Sequence, residues 1–239
     1  MNRLFVVFIF IGILSQYAFG QISEGGTPMS FSMDINTGRD VIPVVTMPTV
    51  NARALIEEDK RQRAENDLIP FRFGYDFNVD IDLKEAGEKI GLPDGGNLWM
   101  LKIHCPDAFS INLIFNQFRL SEGSKFFIYN EDRSVVLGAF TPEVSNNLSN
   151  VFANDLVQGN TIVLEYYEPF PSYGGVINIS KVIHGYIDTF INHRSPGLGT
   201  SANCNIDIQC SLGSNWRNEQ RGVTLILVNN NTALCSGCI

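Results

Sequence analysis

From Phe71 the chain alternates. Phe71, Phe73, Tyr75, Phe77, Val79, Ile81 and Leu83 fall on one parity, while Asp76, Asn78, Asp80 and Asp82 fall on the other. A period of two held over that length predicts a strand with one buried face. Shorter apolar runs over 98–103, 111–118, 125–129, 135–140, 161–167 and 176–187 follow it, separated by Gly-Gly, Asp-Gly, Asn-Glu-Asp and Pro-Ser-Tyr-Gly-Gly turn sequences. Strands at this spacing without helical segments between them predict an all-β unit over 69–192, an antiparallel β-sandwich of jelly-roll-like form. The chain carries no internal repeat.

The flanks read differently. Residues 21–48 are rich in Gly, Pro, Ser and Thr without a sustained period, which predicts an extended or loosely packed leader. Good helix formers from Ala52 to Glu65, behind Asn51 as N-cap, predict one short and mostly solvated helix, so the leader with its helix spans 21–68. Ser195-Pro-Gly-Leu-Gly-Thr-Ser201 breaks every pattern and marks a linker over 193–203. Residues 222–239 then form two apolar runs around an Asn-rich turn, a predicted hairpin. A two-stranded hairpin is marginal alone in water, so this second unit is incomplete by itself.

The N-terminus bears on compartment. Arg3, the apolar run from Leu4 to Leu14 and the small-x-small Ala18-Phe19-Gly20 predict a signal peptide over 1–20, cleaved after Gly20. That apolar run is far shorter than the roughly twenty residues a membrane-spanning helix needs, and no later segment approaches that length, so no membrane span is expected. The chain is therefore expected to be secreted. Loss of Arg3 takes the net charge from −8 to −9. An acidic chain without a Lys/Arg cluster repels phosphate backbones, which argues against a nucleic-acid partner. Export brings an oxidising environment, and five cysteines is an odd number there.

Cys204-Asn-Ile-Asp-Ile-Gln-Cys210, Trp216-Arg217, Arg221-Gly-Val223 and Cys235-Ser-Gly237 resemble the start of the mature enzyme in secreted lysyl endopeptidase-like serine proteases of the trypsin/chymotrypsin fold. Upstream, 98–103, Ile111-Asn-Leu113 and 122–129 are similar to the non-catalytic pro-region of the same family. The resemblance implies that 204–239 is the first hairpin of a truncated chymotrypsin-like β-barrel, and that Cys204, Cys210 and Cys235 bond to cysteines beyond Ile239. It implies that the chain is the front of a zymogen whose Ser-His-Asp triad also lies beyond it, so that this fragment is itself inactive. The implied partners are the chain's own downstream peptidase domain and, for the full-length enzyme, protein or peptide substrates. Two positions depart from the family: Cys238 replaces a small or hydroxyl residue, and Cys105 has no evident mate. No lysine occurs between Lys181 and Ile239, so processing is expected between Arg194 and Cys204.

Other chemistries fit less well. Cys235-x-x-Cys238 has zinc-ligand spacing, but Cys204-x5-Cys210 is too wide and no histidine follows. A Cys-x-x-Cys ending a hairpin lacks the βαβ setting of a redox pair. His104 and Cys105 are neighbours on a strand and point to opposite faces, which denies them a catalytic dyad. His184 and His193 have no identifiable Ser or Asp partner. The stripe of Asp76, Asn78, Asp80 and Asp82 is spaced about 6.6–7 Å per step, too widely for all four to hold one ion, which favours a solvated face over weak calcium binding. No phosphate-cradling loop or dinucleotide fingerprint is present, and no cofactor is expected. The competing reading is an extracellular adhesion or carbohydrate-binding sandwich with a cysteine-rich tail, its glycan platform drawn from Tyr166, Tyr167, Phe170 and Tyr173.

Overall fold

A computed structural model describes residues 23–32, 42–66, 68–190, 215–228 and 232–238. In chain order the elements are β1 (Val44–Thr46), α1 (Ala52–Glu65), β2 (Phe71–Arg72), β3 (Gly74–Asp82), α2 (Leu83–Ala86), β4 (Glu88–Gly91), β5 (Asn97–His104), β6 (Ser110–Arg119) and β7 (Lys125–Asn130). There follow β8 (Val136–Phe140), α3 (Pro142–Ser145), β9 (Phe152–Ala153), β10 (Val157–Gln158), β11 (Thr161–Glu168), β12 (Val176–Gly185), α4 (Arg217–Gly222), β13 (Val223–Val228) and β14 (Ala233–Cys238). The chain is mostly β, as the alternation predicts.

Two sheets lie face to face. One runs β1-β5-β11-β7-β8, with β4 sharing the β5 edge that β1 occupies; the other runs β10-β6-β12-β3, with β9 also on β6. All pairings are antiparallel except that of β1 with β5. Leu101, Ile103, Ile128, Ile162 and Leu164 from the first sheet meet Ile111, Leu113, Phe115, Ile179 and Val182 from the second in one buried cluster. Phe126 sits among the rings of Phe115, Phe118, Phe140 and Tyr166, with centroids 5.6–6.4 Å apart. These are the tilted and edge-on arrangements that the aromatic quadrupole favours.

The Phe71–Leu83 alternation holds with one break. Phe73, Ile81 and Leu83 are buried, and Phe77 and Val79 pack against the core, but Tyr75 at the sheet end is largely exposed. Asp82 leaves the polar stripe to cap α2, accepting from Lys84 N and Glu85 N at 2.7 and 3.2 Å. At α1 the cap is as the sequence predicts: Asn51 Oδ1 accepts from Ala54 N at 3.1 Å. None of the α1 residues is fully buried.

The described parts of the leader are packed rather than loose. Glu24 N donates to Ala139 O and Ala139 N to Gly25 O, both at 2.9 Å, and β1 adds a parallel edge to β5. Between them Met29–Phe31 turns over the outer face of the first sheet, where Met29, Phe31 and Ile42 cover Leu98, Met100, Phe127, Tyr129 and Val163. The alternation shows no strand here because β1 is only three residues long and the other contacts are single residues against a sheet that already exists. Among the described residues no helix is long and apolar enough to cross a membrane.

Candidate docking site for the C-terminal hairpin

The C-terminal hairpin does not stand alone. β13 pairs antiparallel with β14, and β14 continues onto β2 with Ala233 opposite Arg72 and Leu234 opposite Phe71, giving a third sheet of order β13-β14-β2. Phe73 N and Gly74 N both donate to Thr232 O, at 2.9 and 3.0 Å. Phe73 O in turn accepts from Tyr186 N and Ile187 N, which fixes this backbone to the end of β12. The hairpin is thus added by main-chain hydrogen bonds, with side chains supplying the selection. Leu234, only 5% exposed, packs with Phe73, Leu156 and Ile183, and Phe71, Ile114, Ile187 and Leu227 border that cluster. A Cβ at Gly74 would sit 2.8 Å from Ile183 Cγ2, so glycine leaves room for the Ile183 side chain beneath this edge.

Polar groups hold β2 in place. Arg72 Nε donates to Asp59 Oδ1 at 2.7 Å and its terminal nitrogen to Glu58 Oε2 at 2.9 Å. Tyr186 OH donates to Asp59 Oδ2 at 2.6 Å, and the Arg63 guanidinium lies 4.4 Å over the Phe71 ring. Burial works against the Arg72 charge, but the hydrogen bond to Glu58 and the neighbouring Asp59 outweigh it and push the pKa further up. Burial and the Asp59 carboxylate likewise push the Tyr186 phenol up, so it stays a donor. Helix α1 therefore clamps the two-residue strand from the side.

The predicted cysteine and processing positions divide. Gly20, Arg194, Cys204 and Cys210 lie outside the described residues, as do His193 and the side chain of Cys238. Cys235 is exposed and unbonded, whereas Cys105 is buried in the main core and unbonded. Burial pushes the Cys105 thiol up to about 12. Only the thiolate is nucleophilic, so native-state alkylation is expected to label Cys235 rapidly and Cys105 only after unfolding; peptide mass mapping that found Cys105 modified first would contradict this.

The remaining candidates are structural. His104 Nδ1 is 2.8 Å from Thr161 Oγ1. His184 is buried, and among the described residues its Nδ1 has no hydrogen-bond partner. Burial lowers its pKa, with Asp107 opposing more weakly. A depressed imidazole keeps its full contribution above the ordinary histidine value and loses it as pH falls toward the folded value, because the unfolded chain takes the proton first. Urea midpoints are expected to fall from pH 7 to pH 5, and to fall less in His184→Gln; equal pH slopes would contradict this assignment.

The polar stripe is occupied by the protein's own groups. Lys181 Nζ bridges Asp76 Oδ2 and Asn78 Oδ1 at 2.7 and 2.8 Å, and Asn178 Nδ2 bridges Asp80 Oδ1 and Asn116 Oδ1 at 2.8 and 3.1 Å. No group of three His, Cys, Asp or Glu suited to a metal occurs among the described residues. The four aromatics do not form one platform. Tyr166 is in the core and Tyr167 donates to Asp94 Oδ2, while the exposed Phe170 and Tyr173 rings are inclined by 67°.

Two buried carboxylates had no signal in the sequence. Glu165, on the outward parity of β11, accepts from Met29 N, Ser30 N, Ser30 Oγ and Tyr129 OH and pins the leader to the sheet. Glu168 accepts from Lys84 Nζ at 2.7 Å, Trp99 Nε1, Tyr166 OH and the Gly174 and Gly175 amides. Burial would raise Glu168, but Lys84 and those two amides outweigh it and hold the carboxyl below its ordinary value. No protein-family model matches the chain.

Proposed function

We propose that the sandwich is the pro-domain of a secreted, lysyl endopeptidase-like serine endopeptidase precursor. In this reading β13 and β14 are the first hairpin of its chymotrypsin-like barrel. The observation that carries it is the addition of β14 to β2 with Leu234 seated on the sandwich and Cys235 left exposed. A pro-domain that grips the opening strands of its enzyme, yet leaves the thiol accessible to a later partner, can hold those strands while the rest of the barrel forms. Barrels of high contact order fold slowly, and a preformed edge lowers the cost of their first pairing. The distribution of successive strands, with β5, β7, β8 and β11 in one sheet and β3, β6, β10 and β12 in the other, supports a jelly-roll form for the pro-domain.

The chemistry of the whole enzyme would be acyl transfer by a Ser-His-Asp triad with a backbone oxyanion hole, supplied by chain beyond Ile239. Refolding the peptidase chain with and without residues 21–194 tests the assisting role. The expected result is a higher yield of active enzyme when the sandwich is present, and equal yields would contradict it.

A further inference from the structure

Helix α1 joins two properties that bear on release of the hairpin. It carries Glu58 and Asp59, the carboxylates that clamp Arg72, and directly after them it exposes Lys60 and Arg61, with Arg63 one residue beyond Gln62. Fourteen residues are marginal as an isolated helix and none of these is fully buried, so opening α1 breaks little beyond its contacts with Arg72, Tyr186 and Phe71. Proteolysis in the native state follows the population of such open forms. Lys60 pairs within the helix, with Glu57 at 2.8 Å, whereas the lysines at 84, 102 and 181 pair on strands or beside them, where opening would disrupt a sheet.

We propose that the Lys60–Gln62 segment of α1 is a cleavage site for a Lys/Arg-specific endopeptidase, and that its cutting releases the hairpin from β2. The inference rests on the docking reading above. Hydrolysis adds water across the Lys60–Arg61 or Arg61–Gln62 amide: the C–N bond breaks, hydroxyl goes to the acyl carbon and a proton to the departing nitrogen. The piece that retains Glu58 and Asp59 then ends one or two residues later, too short to persist as a helix. Arg72 loses both carboxylates, Tyr186 OH loses its acceptor, and the two-residue strand that receives Ala233 and Leu234 is no longer fixed.

Limited trypsin treatment of the whole chain and of its Lys60→Gln/Arg61→Gln form, which keeps Arg63 over the Phe71 ring, tests this. Hydrogen exchange at the Phe73 and Gly74 amides is read before and after treatment in each. The expected result is exchange at least tenfold faster after treatment in the unmodified chain, mass mapping that places a cut after Lys60 or Arg61, and little change in the double variant. Retained protection after a cut in α1, or an α1 that stays intact while strands are cut, would overturn the proposal. A lack of protection before any cut would instead sink the docking, and this inference with it.

Discussion

Replacing Leu234 by Asp is expected to detach the hairpin and leave the sandwich folded. Leu234 is 5% exposed among Phe73, Leu156 and Ile183. Moving a carboxylate into such a pocket without a partner costs several kcal/mol. The backbone bonds holding the hairpin each contribute about 1 kcal/mol net, so the burial penalty exceeds what they can offset. Amide exchange at Phe73 and Gly74 should accelerate by at least two orders of magnitude, while β6, β11 and β12 keep their protection. Leu234→Met, which preserves volume and apolarity, should change exchange little. Unchanged protection in the Asp variant would contradict the placement of β14.

Phe126→Ala should produce the largest loss of global stability. Its ring is buried where four other aromatic rings meet between the two sheets. Truncating a buried Phe costs about 3–5 kcal/mol through lost burial and the cavity left behind. For a domain of this size that corresponds to a fall in Tm of about 6–20 °C by calorimetry. Phe170→Ala, at a site 67% exposed, should shift Tm by only about 1–2 °C. Similar shifts for the two variants would contradict the assignment of the core.

The strands of the sandwich were legible because burial on one face writes period two into the sequence, as at Phe77, Val79 and Ile81, and turn residues bound each run. The α1 cap was legible because Asn51 and the helix formers behind it act locally. The short strands β1, β4, β9 and β10 were not, since two to four residues carry no period. Their pairing is set by longer neighbours. The docking site was half legible. The lone hairpin at 222–239 announced that it needed a sheet, but that β2 supplies the edge depends on Phe73, Gly74 and Tyr186 meeting across more than a hundred residues of chain. Glu165 and Glu168 look like surface carboxylates in sequence. Their burial follows from Ser30 and Tyr129 in one case and Lys84 and Trp99 in the other, all distant along the chain.

Pairing of β14 with β2 is the claim on which the functional reading depends, and nuclear Overhauser contacts measure it directly. In a deuterated, amide-protonated sample the register predicts cross-strand contacts between Ala233 and Arg72, together with slow exchange at Phe73 and Gly74. Those contacts, lost on Leu234→Asp, are the result this account predicts. A hairpin whose amides show no contact to Phe71–Gly74 and exchange at unfolded-chain rates would contradict it.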